Sequence, residues 1–140
     1  MIKVEFKNVT AVKDELLKYA VIVSRYQEKW IYCKHKQRDT WEIPGGRREL
    51  GEPILDTAKR ELFEESGALD YELTPVCAYC VISDIKSYGL LCYADIHSFG
   101  QLPASEIERI QLFENEPDAL TYPHIQSFLF AKIKNWLAEN

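Results

Sequence analysis

The chain has 140 residues, 46% of them hydrophobic and 28% charged, which is the composition of a globular protein. That length suits a single domain over residues 1–140 with its own core. The formal net charge of −5 argues against non-specific binding to nucleic acid or an anionic membrane, and no apolar run reaches membrane-helix length. The expected setting is cytoplasmic, with no membrane and no stable nucleic-acid partner.

In chain order, residues 2–12 (IKVEFKNVTAV) alternate in places and carry β-branched side chains, predicting a strand or hairpin arm. Lys18 to Arg25 (KYAVIVSR) is almost continuously apolar, like a strand buried on both faces. Gln27-Glu28-Lys29 reads as a turn, with Trp30 to Lys36 as the partner strand. The polar Arg38-Asp39-Thr40 then leads to Trp41-Glu42-Ile43-Pro44-Gly45-Gly46. Two adjacent glycines permit unusual backbone angles and close approach of the chain to a ligand; alone they mark a turn.

A helix follows. Pro53 suits its first position, having no N–H to leave unpaired and a φ already near the helical value. Glu52 places an anion beside the positive end of the helix dipole, and Gly67 suits the left-handed residue that ends a helix. Ile54, Leu55, Ala58 and Leu62 recur at helical spacing as an apolar stripe. Glu61, Glu64 and Glu65 share one arc beside that stripe. They repel at i,i+3 and i,i+4, and they crowd the last turns, where the dipole favours cations. Hard carboxylate oxygens without sulfur or imidazole nearby suit Mg²⁺ or Mn²⁺. The plainer alternative is a solvated face softened by ion pairs with Lys59 and Arg60.

Beyond the helix, Tyr71 to Ser83 and Tyr88 to Ile96 are strand-like, joined by Asp84-Ile85-Lys86-Ser87. Phe99 to Ser105 reads as a loop, and Ile107 to Phe113 as a short last strand. Pro123 opens a C-terminal helix whose Ile125, Phe128, Leu129, Ala131, Ile133, Trp136 and Leu137 supply a core-packing face. Cys77 and Cys80 form a CxxC, but residues three apart on a strand point to opposite faces. With Cys33 and Cys92 they are read as buried free thiols. The elements add up to an α/β fold: a mixed sheet with a central helix and a C-terminal helix on its faces.

The stretch from Gly46 to Ala68, GRRELGEPILDTAKRELFEESGA, resembles the signature of the Nudix hydrolase family. That signature runs Gly, five residues, Glu, seven residues, Arg-Glu, an aliphatic, any residue, Glu-Glu, any residue, Gly, aliphatic. Gly46, Glu52, Arg60, Glu61, Leu62, Glu64, Glu65 and Gly67 fall at matching spacing, and chance agreement is about one in 10⁸. Ala68 departs, being smaller than the usual aliphatic, so looser packing is expected there.

The resemblance implies an α/β/α sandwich and metal-dependent hydrolysis of a nucleoside diphosphate linked to another moiety. It implies Mg²⁺ or Mn²⁺ held by Glu61, Glu64 and Glu65 with the Gly46 carbonyl. Arg60 would orient glutamates and Glu52 would support it from behind. The general base is a box glutamate or a loop acid, Glu106 or Glu108. Arg38, Arg47 and Arg48 are candidates for phosphate contact, each otherwise an ordinary solvated arginine. His35 and His124 read as surface or packing residues. A nucleoside triphosphate, oxidised ones included, is the expected substrate, as in MutT-like members. An RNA 5′-end, ADP-ribose or a nucleotide sugar is the alternative, as is a Nudix-fold nucleotide-binding module without turnover. The oligomeric state is open.

Overall fold

A computed structural model describes residues 1–140. Seven strands and two helices run β1 (Lys3–Lys7), β2 (Leu17–Tyr26), β3 (Lys29–His35), β4 (Gly45–Arg47), α1 (Ile54–Ser66), β5 (Ala68–Ile82), β6 (Lys86–Phe99), β7 (Ile107–Phe113) and α2 (Pro123–Glu139). The first strand is shorter than residues 2–12 suggested: after Lys7 the chain makes two 3₁₀ turns, Val9–Ala11 and Asp14–Leu16, the first capped by the Asn8 side chain.

The sheet is mixed, in the order β1-β5-β6-β2-β3-β7, with β4 paired to β2. β2 runs parallel to β6, and the other pairs are antiparallel. Alternation along β2 assigns the layers. Ala20 and Ile22 face one side, with Ala58 and Leu62 of α1; Val21 and Val23 face the other, with Leu129, Phe130 and Ile133 of α2. The result is an α/β/α sandwich. Leu62 and Leu129 are wholly buried, and each such side chain contributes roughly 2 kcal/mol toward holding its helix on the sheet.

The feature that positions the site is a splay. β2 pairs with β3 only beside their turn, at Arg25–Trp30 and Tyr26–Lys29. The strands then part, and residues 42–47 fill the gap: Glu42 bridges Cys33 of β3, while Gly45 to Arg47 pair with Tyr19 to Val21 of β2.

Several further expectations shift. The glycine pair runs as extended strand β4, not as a turn, because it is needed for close packing. Pro53 sits one residue before α1, with ψ at 142°, and its carbonyl accepts from Asp56 and Thr57 N–H. Leu55 is 40% exposed, since the buried stripe turns instead through Thr57, Ala58, Glu61 and Leu62. Gly67 ends α1 at φ 76°, the left-handed conformation expected of it. In α2, Phe128 and Ala131 face outward, and Phe130 takes the core position, its ring edge-on to Trp30 at 4.8 Å. All four cysteines are buried free thiols. Ala68 is buried in the apolar cluster under α1.

Candidate active site

Three short pieces of backbone meet at the splay: β4, the last turns of α1, and the start of α2. Gly45 lies so close to β2 that a Cβ there would stand 2.6 Å from the Ala20 carbonyl oxygen. At Gly46 an added Cβ would overlap the Glu61 carboxylate. The pair is glycine because one residue is pressed by backbone and the next by an acid.

Glu65 Oε1 accepts the Gly45 N–H at 2.9 Å. Burial pushes its carboxyl up to about 8; that N–H works against the rise, and the charges of Glu61 and Glu42 add to it. Burial also raises the Glu61 carboxyl, opposed by Arg60.

Arg60 is the hub on the outer side. Its Nε donates to Glu52 Oε2 at 2.8 Å, its Nη1 to Glu61 Oε1 at 2.8 Å and Glu64 Oε1 at 3.3 Å, and its Nη2 to the Arg47 carbonyl at 3.0 Å. Glu52 also accepts from the Thr57 hydroxyl at 2.6 Å, and these contacts, Arg60 foremost, hold its carboxyl down to about 2.

No three His, Cys, Asp or Glu side chains converge as a ready-made metal cluster, because Arg60 holds Glu61 and Glu64 while Glu65 rests on Gly45. The donor set nevertheless fits a hard cation. Buried Glu61 and half-buried Glu65 stand where ionising both is costly, against a backbone that only glycine permits, and a divalent ion would relieve that cost.

Glu61 and Glu65 line a cleft of about 580 Å³. Arg38 lines it too, donating to Glu42 at 2.7 Å and to the Tyr122 hydroxyl at 3.4 Å. The structure separates the other arginines from it. Arg48 donates to the Asp14 carboxylate and to the carbonyls of Asp14, Leu17 and Glu52, so its guanidinium serves as a brace. Arg47 stacks over Tyr19, 5.8 Å from the ring centre, and lines a neighbouring hollow. Glu106 is exposed beside His35, Oε2 to Nδ1 3.9 Å, whereas Glu108 is paired with Lys34 at 3.2 Å.

Three cleft residues escape a reading of the sequence. His35 lines the wall with its Nε2 3.5 Å from Glu42. Glu42 is 8% exposed, and its sequence signal is an acid inside the apolar run Trp-Glu-Ile-Pro. Gln126 is equally buried and interrupts the apolar stripe of α2.

Comparison with known proteins agrees with this geometry. A sequence model described as NUDIX domain matches residues 12–128. The chain is 31% identical over 114 residues to YtkD of Bacillus subtilis (strain 168), provisionally named an 8-oxo-dGTP diphosphatase, covering 80% of this chain and 72% of that one. It is 53% identical over 37 residues to nucleoside diphosphate-linked moiety X motif 6 of Mus musculus, a match that covers 26% of this chain and spans only 12% of that protein. The crystal structure of the Bacillus subtilis pyrophosphohydrolase BsRppH, in a mutant form, has the same fold, with a TM-score of 0.78 at 22% identity over 96% of this chain and 90% of that one. A chain with this sandwich and this acidic helix under a glycine strand, matched over most of its length, belongs to the Nudix hydrolases, a family of pyrophosphohydrolases.

Proposed function

We propose that the chain hydrolyses a phosphoanhydride bond of a nucleoside triphosphate, oxidised ones included, with Mg²⁺ or Mn²⁺ as cofactor. The observation that carries this is the pairing of buried Glu61 with half-buried Glu65 in the wall of a cleft that Arg38 also lines. Glu61, Glu64 and Glu65 with the Gly46 carbonyl would hold the ion. When bound, it neutralises phosphate charge and activates a water as nucleophile. Arg60, braced by Glu52, fixes the carboxylates of Glu61 and Glu64. Arg38 faces the phosphates, and Gly67 keeps the end of α1 in place. Arg47 and Arg48 take no phosphate in this reading.

Two acids compete as general base: Glu64, part-exposed on α1, and Glu106, exposed beside His35. Comparing Glu64→Gln with Glu106→Gln assigns the role, since only the base should flatten the acidic limb of the pH–rate profile. The likeness to YtkD favours a triphosphate, and the acidic surface disfavours long RNA. Four buried thiols suit a reducing, cytoplasmic compartment, and one sheet built from strands along most of the chain suits a single domain.

Product analysis across ordinary and oxidised nucleoside triphosphates, ADP-ribose and 5′-triphosphorylated RNA, with Mg²⁺ or Mn²⁺, tests the reading. Turnover confined to ADP-ribose or RNA would overturn the substrate class; binding without any turnover would make the chain a nucleotide-binding module.

A further inference from the structure

Glycine inside a strand gives up side-chain packing, and it often marks a place where another group must come close. Gly89 of β6 is such a residue, in register with Tyr79 of β5 on one side and Tyr19 of β2 on the other. Like Leu91 and Tyr93, it belongs to the face of the sheet that carries α2. A Cβ on Gly89 would lie 2.4 Å from Tyr79 Cζ, 2.5 Å from its Oη and 2.6 Å from its Cε1. The Tyr79 ring therefore leans across β6, its phenol end filling the space that glycine leaves.

Tyr79 is 5% exposed and lines the cleft with Tyr19, Val21, Val81 and Ser87. These side chains of β2, β5 and β6 form its floor. The Tyr79 hydroxyl has no hydrogen-bond partner in the protein, yet the sealed side-chain atoms without a partner are Ser24 Oγ and Tyr32 Oη. The phenol end thus borders the cleft and is not locked inside the core.

We propose that Gly89 is a positioning residue for the reaction: by letting the Tyr79 ring lie across β6, it sets the depth of the cleft that holds the substrate. This rests on the nucleotide reading above. Carbon atoms in contact stand about 3.5–4.0 Å apart, so a methyl group at residue 89 would drive the phenol end away by about 1 Å or more. The sheet lies beneath the ring, and wholly buried Leu129 packs in the same apolar cluster. The open direction is the cleft, where a raised ring takes room from the substrate. Glu61 and Glu65 project from α1 beside β4, apart from this movement, so binding suffers and the chemical step does not.

A double-mutant cycle of Gly89→Ala and Tyr79→Leu tests this, with dGTP or whichever triphosphate of the panel above is turned over, and Mg²⁺. Leucine lacks all three ring atoms that the methyl would meet. Beside the native Tyr79, Gly89→Ala should raise KM about tenfold, the cost of a small misfit in a pocket, with kcat within about twofold. In the Tyr79→Leu background the same change should raise KM no further. A KM unmoved by Gly89→Ala, or an equal rise in both backgrounds, would overturn the proposal. If Gly89→Ala does not fold, recovery of the fold in the double variant together with a raised KM in Tyr79→Leu supports the floor, and failure of either overturns it. Should the wild type turn over no triphosphate, the hydrolase reading fails separately. The crystal structure of Gly89→Ala then judges the floor alone: a Tyr79 ring raised into the cleft supports it, and an unmoved ring beside a shifted β6 overturns it.

Discussion

Gly46 and Glu61 are packed so closely that the glycine has no room for a methyl group on the side facing the carboxylate. The obstruction is the far end of a flexible side chain, which can swing away. Gly46→Ala should therefore fold normally but displace Glu61, cutting kcat/KM by about tenfold or more and weakening metal affinity. At Gly45 the obstruction is backbone, the Ala20 carbonyl oxygen at 2.6 Å. Gly45→Ala should cost about 2 kcal/mol of stability as β4 is forced off β2. Urea denaturation and steady-state rates on both variants check the contrast, and equal stability of the two would contradict it.

Replacing Glu65 by glutamine preserves the acceptor for the Gly45 N–H and removes the charge. Turnover should fall by about 100-fold or more, with circular dichroism unchanged. Chelator should likewise abolish activity without unfolding the chain, because both helices are anchored by apolar packing. Metal-independent turnover would remove the basis for this.

The raised Glu65 carboxyl sets a pH dependence of defined sign. In the fold it keeps its proton up to about pH 8, while in the unfolded chain it ionises near 4.5. Between those values the unfolded chain has lost a proton that the native state holds, so stability falls as pH rises, by about 1.4 kcal/mol per pH unit for one proton. Glu52 acts oppositely: held down to about 2, it stabilises the fold above its ordinary value of 4.5, and that contribution is lost as pH falls toward 2. Metal-free protein should melt higher near pH 5 than near pH 8, and saturating Mg²⁺ should restore the upper limb. Glu65→Gln should flatten that limb without metal; a slope that persists in this variant assigns it to another group.

The β2–β3 turn places Gln27 at φ 52° and Glu28 at φ 69°, both in the left-handed region and neither of them glycine. Such a two-residue hairpin favours Asn-Gly. The double change Gln27→Asn with Glu28→Gly should raise stability by about 1 kcal/mol in urea denaturation and leave kcat/KM unchanged.

What the sequence revealed was what neighbours along the chain decide. The ends of α1, its run of acids and the opening of α2 at Pro123 rest on local rules. Residues that act across the chain were hidden. Gln126 acquires its meaning from Ile43, 83 positions away, and three arginines of similar aspect are told apart only by Asp14, which engages Arg48, and by Glu42, which aims Arg38. Phe128 and Phe130 are equally apolar, and the choice between them is made by Trp30 and Tyr32 on the sheet. The order of the strands was equally invisible, since the parallel β2–β6 pairing joins segments far apart in the chain.

The hydrogen bond from Ile43 to Gln126 is the stitch by which the last helix is fastened over the acids. Two positions further on, Gly45 gives its N–H to Glu65 of α1, so one short strap of backbone ties both helices to the sheet. A change that loosens this strap should therefore unseat two helices lying on opposite faces of the sheet at once.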